Sequence, residues 1–228
     1  MADPVLDTSI MTHTLEKILG IFEVGAGALG AGGAGLLSVL IAIEIVWGGI
    51  MWSFLDANGA FRQFLRKIVL VGVFAFIVLN WTTVANTILD GFVWAGAEVG
   101  GGHVPISLMR DPSQILDLGM AATTNIWKQI GEVSLLESGT IGLMLLMGIV
   151  GFVTLILYFL IAMQVYMTLL EFYIITAFGT IFIPWGVNSH TKWIAERYLG
   201  AIVAQGTKLM VLSALVATVF PVLKALHL

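Results

Sequence analysis

Four long stretches of this chain are almost free of charge, and they limit what it can become. Val24 to Leu55 holds one charged residue, Glu44. Ile68 to Leu89 holds none. Gly139 to His190 holds only Glu171, and Tyr198 to Phe220 only Lys208. A helix crosses the hydrocarbon core of a bilayer with about 20 apolar residues. The remaining composition agrees, because 59% of residues are hydrophobic and 11% charged. Soluble domains carry roughly a quarter charged residues to coat their surface. The fold class expected is therefore an all-α integral membrane protein.

Cut into lengths that fit a bilayer, the chain yields about five transmembrane helices. The first runs about Ala31 to Phe54, with Trp47 and Trp52 at an interfacial end. The second is Ile68 to Leu89, and together they make a hairpin over residues 25–95 with its tip at 56–67. Gly139 to His190 is too long for one straight span and is cut in two near Gln164 to Glu171. Pro184-Trp185-Gly186 is the expected helix break, and Tyr198 to Phe220 is the last span. The C-terminal transmembrane region is thus 139–228, with about three spans. Ahead of the spans, residues 1–24 read as an amphipathic helix, with Leu6, Ile10, Leu15, Ile18 and Phe22 on one face. It lies at the membrane interface or packs on the bundle.

Residues 96–138 form the one extended polar region. Gly100-Gly101-Gly102 and Pro105 make its first half a loop. Ser113 to Ile130 reads as a short helix, with Asp111 as its cap and Pro112 near its start.

Arg62, Arg66 and Lys67 follow the turn composition Asp56-Ala57-Asn58-Gly59 and are the densest basic cluster. The positive-inside rule puts them in the cytoplasm and makes them the topology determinants. The amino terminus and the 96–138 loop are then periplasmic in a bacterium. One conflict stands. Five spans would place His190, Lys192 and Arg197 in the periplasm, where basic residues are disfavoured. A re-entrant Leu169 to Trp185 would reverse that parity.

The first fifteen residues include Asp3 and Asp7 but no Lys or Arg. No cleavable signal is expected, and insertion uses the internal spans. The net charge of -4 and the scattered basic residues exclude a nucleic-acid patch. Without cysteine there is no disulfide and no thiolate chemistry. His13, His103, His190 and His227 are isolated from ligand-spaced partners, so no metal and no cofactor is expected. No nucleophile elbow, P-loop or zinc-protease motif occurs, and no catalytic residue is assigned.

Two sets of residues remain. Gly25-Ala26-Gly27-Ala28-Leu29-Gly30 has the form of a dinucleotide loop but lacks the strand that must precede it. The better reading is close helix packing. Ala26, Gly30 and Ala34 recur every fourth residue, as do Gly27, Ala31 and Gly35. Small-xxx-small ladders let helix backbones approach within a membrane, here as an oligomer interface. The second set is intramembrane and polar: Glu44, Asn80, Glu171 and Lys208. A charge at bilayer depth costs roughly 2.5–3.5 kcal/mol, so such residues line a path or pair with one another. Glu171 with Lys208 is one candidate pair, and Glu44 beside its tryptophans is alternatively interfacial.

Three stretches taken in order resemble a known family. They are Phe64-Leu65-Arg66-Lys67-Ile68 continuing to Asn80-Trp81, then Asp111-Pro112-Ser113-Gln114-Ile115-Leu116-Asp117-Leu118-Gly119, then Glu171-Phe172-Tyr173 through Pro184-Trp185-Gly186 to Glu196-Arg197-Tyr198 and Lys208-Leu209-Met210. From about Leu36 to Val219 the chain is similar to the TrbL family, the polytopic inner-membrane subunit of type IV secretion and conjugation machines. The resemblance implies homo-oligomers in an inner-membrane complex. It also implies partners among the other secretion subunits, including periplasmic stalk and pilus components, with DNA or protein as transient substrate. It favours a periplasmic amino end and a cytoplasmic carboxyl end. The long polar, Ser/Gln-rich tail of many relatives has no counterpart before Leu228, so its contribution is expected to be absent or to have been removed. A stand-alone transporter or small channel is the competing reading, motivated by Glu44, Glu171 and Lys208. The lack of an internal repeat argues against it.

Overall fold

The computed structural model describes residues 9–54, 57–102, 105–132 and 140–226. His103, His227, Asp56 and the first residues of the expected amphipathic helix lie outside them. The elements are α1 (Ser9–Trp52), α2 (Ala57–Leu79), α3 (Trp81–Val99), α4 (Ile106–Arg110), α5 (Pro112–Glu132), α6 (Thr140–Phe182), a 3-10 turn (Ile183–Val187) and α7 (Lys192–Leu226). No strand occurs among the described residues. The fold is all-α.

Three helices are long and apolar enough to cross a membrane, and four when a bent pair counts as one span. About five were expected. Their apolar side chains face outward. In the 141–187 helical run only 11% of the most apolar stretch is buried, at a mean hydropathy of 2.6. Ile141, Leu145, Leu146 and Phe152 are all more than half exposed. Water would not tolerate such a surface, whereas lipid is its natural solvent. The chain is a membrane protein.

The helices run further than bilayer thickness alone would set them. From Ser9 on, the expected amphipathic segment is continuous with the first span in one helix of 44 residues. No proline falls between Pro4 and Pro105, so nothing blocks the hydrogen-bond ladder. The glycines from Gly25 to Gly35 stay helical despite costing about 1 kcal/mol each. In lipid an unmade backbone bond costs more than that. Residues 139–190 were expected as two spans, yet α6 runs unbroken for 43 residues. Gln164 to Glu171 contains neither Gly nor Pro, and polarity by itself does not end a helix.

The expected second span departs in the other direction. It is bent by 83° between Leu79 and Trp81. Asn80 sits at the break, and its side-chain amide donates to the Phe76 carbonyl at 3.0 Å. A side chain that competes for a helix carbonyl favours bending there. Trp81 anchors the far side of the bend. It is buried, and its indole N–H donates to the Thr176 carbonyl at 2.7 Å. The region from Gly96 is also more helical than expected, since α3 continues to Val99 and α4 and α5 follow closely.

The chain forms two compact units. One comprises residues 1–17, 90–170 and 207–228. Its core includes Val93, Met109, Ile115, Val165 and Leu209. Gly96 lies directly against the Met210 carbonyl and Ser213, so a Cβ there would overlap both. Arg110 pairs with Asp90. The other unit comprises 18–89 and 171–206. Leu37, Trp81, Leu89, Phe172, Ile183 and Ile202 are buried in it. Here Gly33 meets the Thr180 carbonyl, and Gly186 meets the Phe74 ring.

Candidate functional site

The most deeply buried of the described charged residues is in the second unit. Glu44 is the single charged residue of its α1 stretch and is only 6% exposed. Its partner comes from α2, with Lys67 Nζ 2.5 Å from Glu44 Oε2. The ammonium also donates to the Val187 carbonyl at 3.1 Å. The Ser189 backbone N–H donates to Glu44 Oε1 at 3.2 Å. Both carboxylate oxygens are therefore engaged, and the pair joins α1, α2 and the end of the 3-10 turn.

The local sequence explains why the turn presents those groups. Pro184 begins the turn where α6 stops, since proline cannot continue the ladder. Gly186 leaves room for the Phe74 ring where any side chain would collide. Beyond it, the His190 N–H donates to Asn188 Oδ1 at 2.8 Å and Thr191 Oγ1 to the Trp185 carbonyl at 3.0 Å. These bonds fix the Val187–Ser189 backbone that receives the ion pair. A buried pair of this kind owes its value to complete hydrogen bonding, because desolvating two ions is costly. It is a mechanical clasp.

A second polar cluster lies in the first unit. The Thr12 hydroxyl bonds Asp111, and Thr12 Oγ1 lies 2.7 Å from Ser113 Oγ. Asp111 Oδ1 accepts the Ser113 backbone N–H at 3.1 Å at the start of α5. These residues border a cleft of ≈ 290 Å³ with His13, Glu16 and Asp117. Among the described residues no three His, Asp or Glu side chains gather as a metal site would require.

The residues singled out from sequence fall as follows. Glu44 meets Lys67, which spacing had grouped with Arg62 and Arg66. Those two arginines are exposed on α2. Asn80 is at the bend. Glu171 is exposed on α6 in the second unit, and Lys208 is exposed on α7 in the first. Pro184 and Gly186 form the 3-10 turn. Ala26, Gly27, Gly30, Ala31, Ala34 and Gly35 all lie on α1, and a Cβ on Gly27, Gly30 or Gly35 would meet nothing within 4 Å. On this stretch of α1 the close approach is made by Gly33, which belongs to neither ladder. Gly33 and the Trp81–Thr176 bond escaped the sequence reading. The buried tryptophan next to a polar interruption was the available signal for the latter.

Outward apolar helices, with an almost wholly buried and paired glutamate among them, define a polytopic helical membrane protein. The chain belongs to the TrbL/VirB6 family, described as plasmid conjugal transfer protein, whose match covers residues 41–227. It is 30% identical over 179 residues to a probable conjugal transfer protein TrbL of Sinorhizobium fredii, covering 78% of this chain and 42% of the relative. It is 28% identical over 177 residues to the conjugal transfer protein TrbL of Rhizobium radiobacter, again covering 78% and 42%. The chain thus spans about two-fifths of the length of these curated relatives. No solved structure matches it significantly.

Proposed function

We propose that this chain is an inner-membrane scaffold or channel component of a conjugative, type IV secretion machine. The observation that carries this reading is the family match over 41–227, which contains the whole Glu44–Lys67–Val187 clasp. Its role is structural rather than catalytic. Its partners are the other secretion subunits of the inner-membrane complex and the periplasmic stalk or pilus, and DNA or protein is the transient cargo. The hairpin tip at 56–67 faces the cytoplasm and the amino terminus faces the periplasm, as the basic cluster favours. Deleting the gene from a conjugative donor should abolish plasmid transfer, and the wild-type copy should restore it. Undiminished transfer by the deletion strain would remove this function.

The chain acts as an oligomer through α1. Open space around Gly27, Gly30 and Gly35 supports this, because those glycines serve no close contact within the chain. A second copy packing there would use them as small-residue faces do in membranes. Gly30→Leu is expected to lower the yield of crosslinked oligomer in membranes while leaving the protein folded. An unchanged crosslink ladder would assign the glycines no such part.

A further inference from the structure

The clasp brings together two basic segments that are more than a hundred residues apart. Lys67 belongs to the cluster Arg62, Arg66, Lys67 on α2. Its bond to the Val187 carbonyl, with the Glu44–Ser189 bond, sets that cluster beside the segment leading into α7. The latter segment supplies Lys192 and Arg197. Half of the ten Lys and Arg residues of the chain therefore lie within ten residues of Lys67 or Val187, the two sides of the clasp. Two of the five are already paired, Lys67 with Glu44 and Lys192 with Glu196 at 3.1 Å. Arg62, Arg66 and Arg197 make no ion pair among the described residues and are exposed.

The clasp end of the second unit is also rich in indoles. Trp47, Trp52, Trp185 and Trp193 all belong to it, of seven tryptophans in the chain. Trp47 is 54% and Trp193 55% exposed. The Trp52 ring meets Phe64 edge-on at 5.6 Å, tying the end of α1 to the start of α2. The Arg197 guanidinium sits 5.7 Å from the Trp193 ring centre. Tryptophan partitions to the headgroup level of a bilayer, which favours an interfacial depth for this end. Arginine at that depth offers a planar fork that matches a phosphate oxygen pair.

We infer that this end of the second unit binds anionic phospholipid headgroups, through Arg62, Arg66 and Arg197 set among the interfacial tryptophans. Charge complementarity selects the occupant. An anionic leaflet attracts a basic juxtamembrane residue by roughly fivefold each at low salt. The inference is independent of the transfer role, since it concerns lipid alone.

The test uses the full chain, extracted in mild detergent from bacterial membranes. Phospholipids retained by the protein are counted by mass spectrometry. The wild type should hold phosphatidylglycerol or cardiolipin at several times its share of the bulk membrane. Arg62→Gln/Arg66→Gln/Arg197→Gln should bring that ratio close to the bulk value. Lys17→Gln/Lys128→Gln, which leaves this end untouched, should keep the enrichment. If the triple variant fails to fold, wild-type protein washed at high salt should still lose the enrichment by screening. Bulk-like lipid on the wild type, or enrichment that survives both the triple substitution and salt, overturns the inference. Loss of transfer by a folded triple variant with unaltered lipid would assign the arginines to an acidic protein partner, and would overturn it equally.

Discussion

Replacing Lys67 with methionine should destabilise the chain more than any other single change of charge. Lys67 is the counter-ion of a carboxylate that is almost wholly buried, and it also holds the Val187 carbonyl. Removing one partner of such a pair leaves an uncompensated charge, at a cost of about 3–5 kcal/mol. For a chain of this size that corresponds to a fall of about 6–20 °C in Tm. The measurement is thermal unfolding of the full chain in detergent or lipid nanodiscs, followed by loss of protease resistance. Glu44→Leu combined with Lys67→Met should recover most of the loss, because an apolar pair of similar volume replaces a buried ion pair at little cost. Arg66→Met, one residue away but exposed, should leave Tm almost unaltered. A Lys67→Met protein that melts with the wild type would mean that water reaches Glu44.

The second large effect belongs to Trp81. Its ring is buried at the bend between α2 and α3, and Gly179 is shaped to receive it. Trp81→Ala should cost about 3–5 kcal/mol through the cavity it leaves. Trp81→Phe keeps most of the ring volume and loses the bond to the Thr176 carbonyl, worth about 1 kcal/mol. The ratio between the two variants is diagnostic, and unfolding in the same detergent reads it. Equal losses would show that the hydrogen bond, and not the ring, secures the bend.

The class of the protein was legible in its sequence because solvent preference is a local property. Twenty apolar residues in a row favour lipid whatever they later pack against. The break at Pro184-Trp185-Gly186 was legible for a similar reason, since proline acts within its own turn. Helix length was not. A bilayer sets how much of a helix must be apolar, whereas α1 and α6 continue until a breaker occurs. The bend at Asn80 left a trace, because Asn80-Trp81-Thr82-Thr83 interrupts the apolar run. Polarity there pointed to bonds across helices and did not specify an 83° turn.

The clasp was hidden for a different reason. Glu44 and Lys67 are 23 residues apart, and nothing in a one-dimensional pattern says which faces of two helices will meet. Lys67 looked like a third member of the cluster with Arg62 and Arg66 because it adjoins them. Its side chain points elsewhere, and tertiary packing decides that. Gly33 was passed over for the same cause. The ladders at Ala26, Gly30, Ala34 and at Gly27, Ala31, Gly35 have the more regular spacing, yet Gly33 is the position that the Thr180 carbonyl approaches.

The bond between Lys67 and Val187 also does some arithmetic. Two atoms 3.1 Å apart sit on one side of any membrane that holds them near its surface. If the clasp lies at a membrane surface, the chain between the two residues crosses the bilayer an even number of times. His190, Lys192 and Arg197 then share a leaflet with Arg62 and Arg66, and the charge asymmetry that orients such proteins favours both groups together.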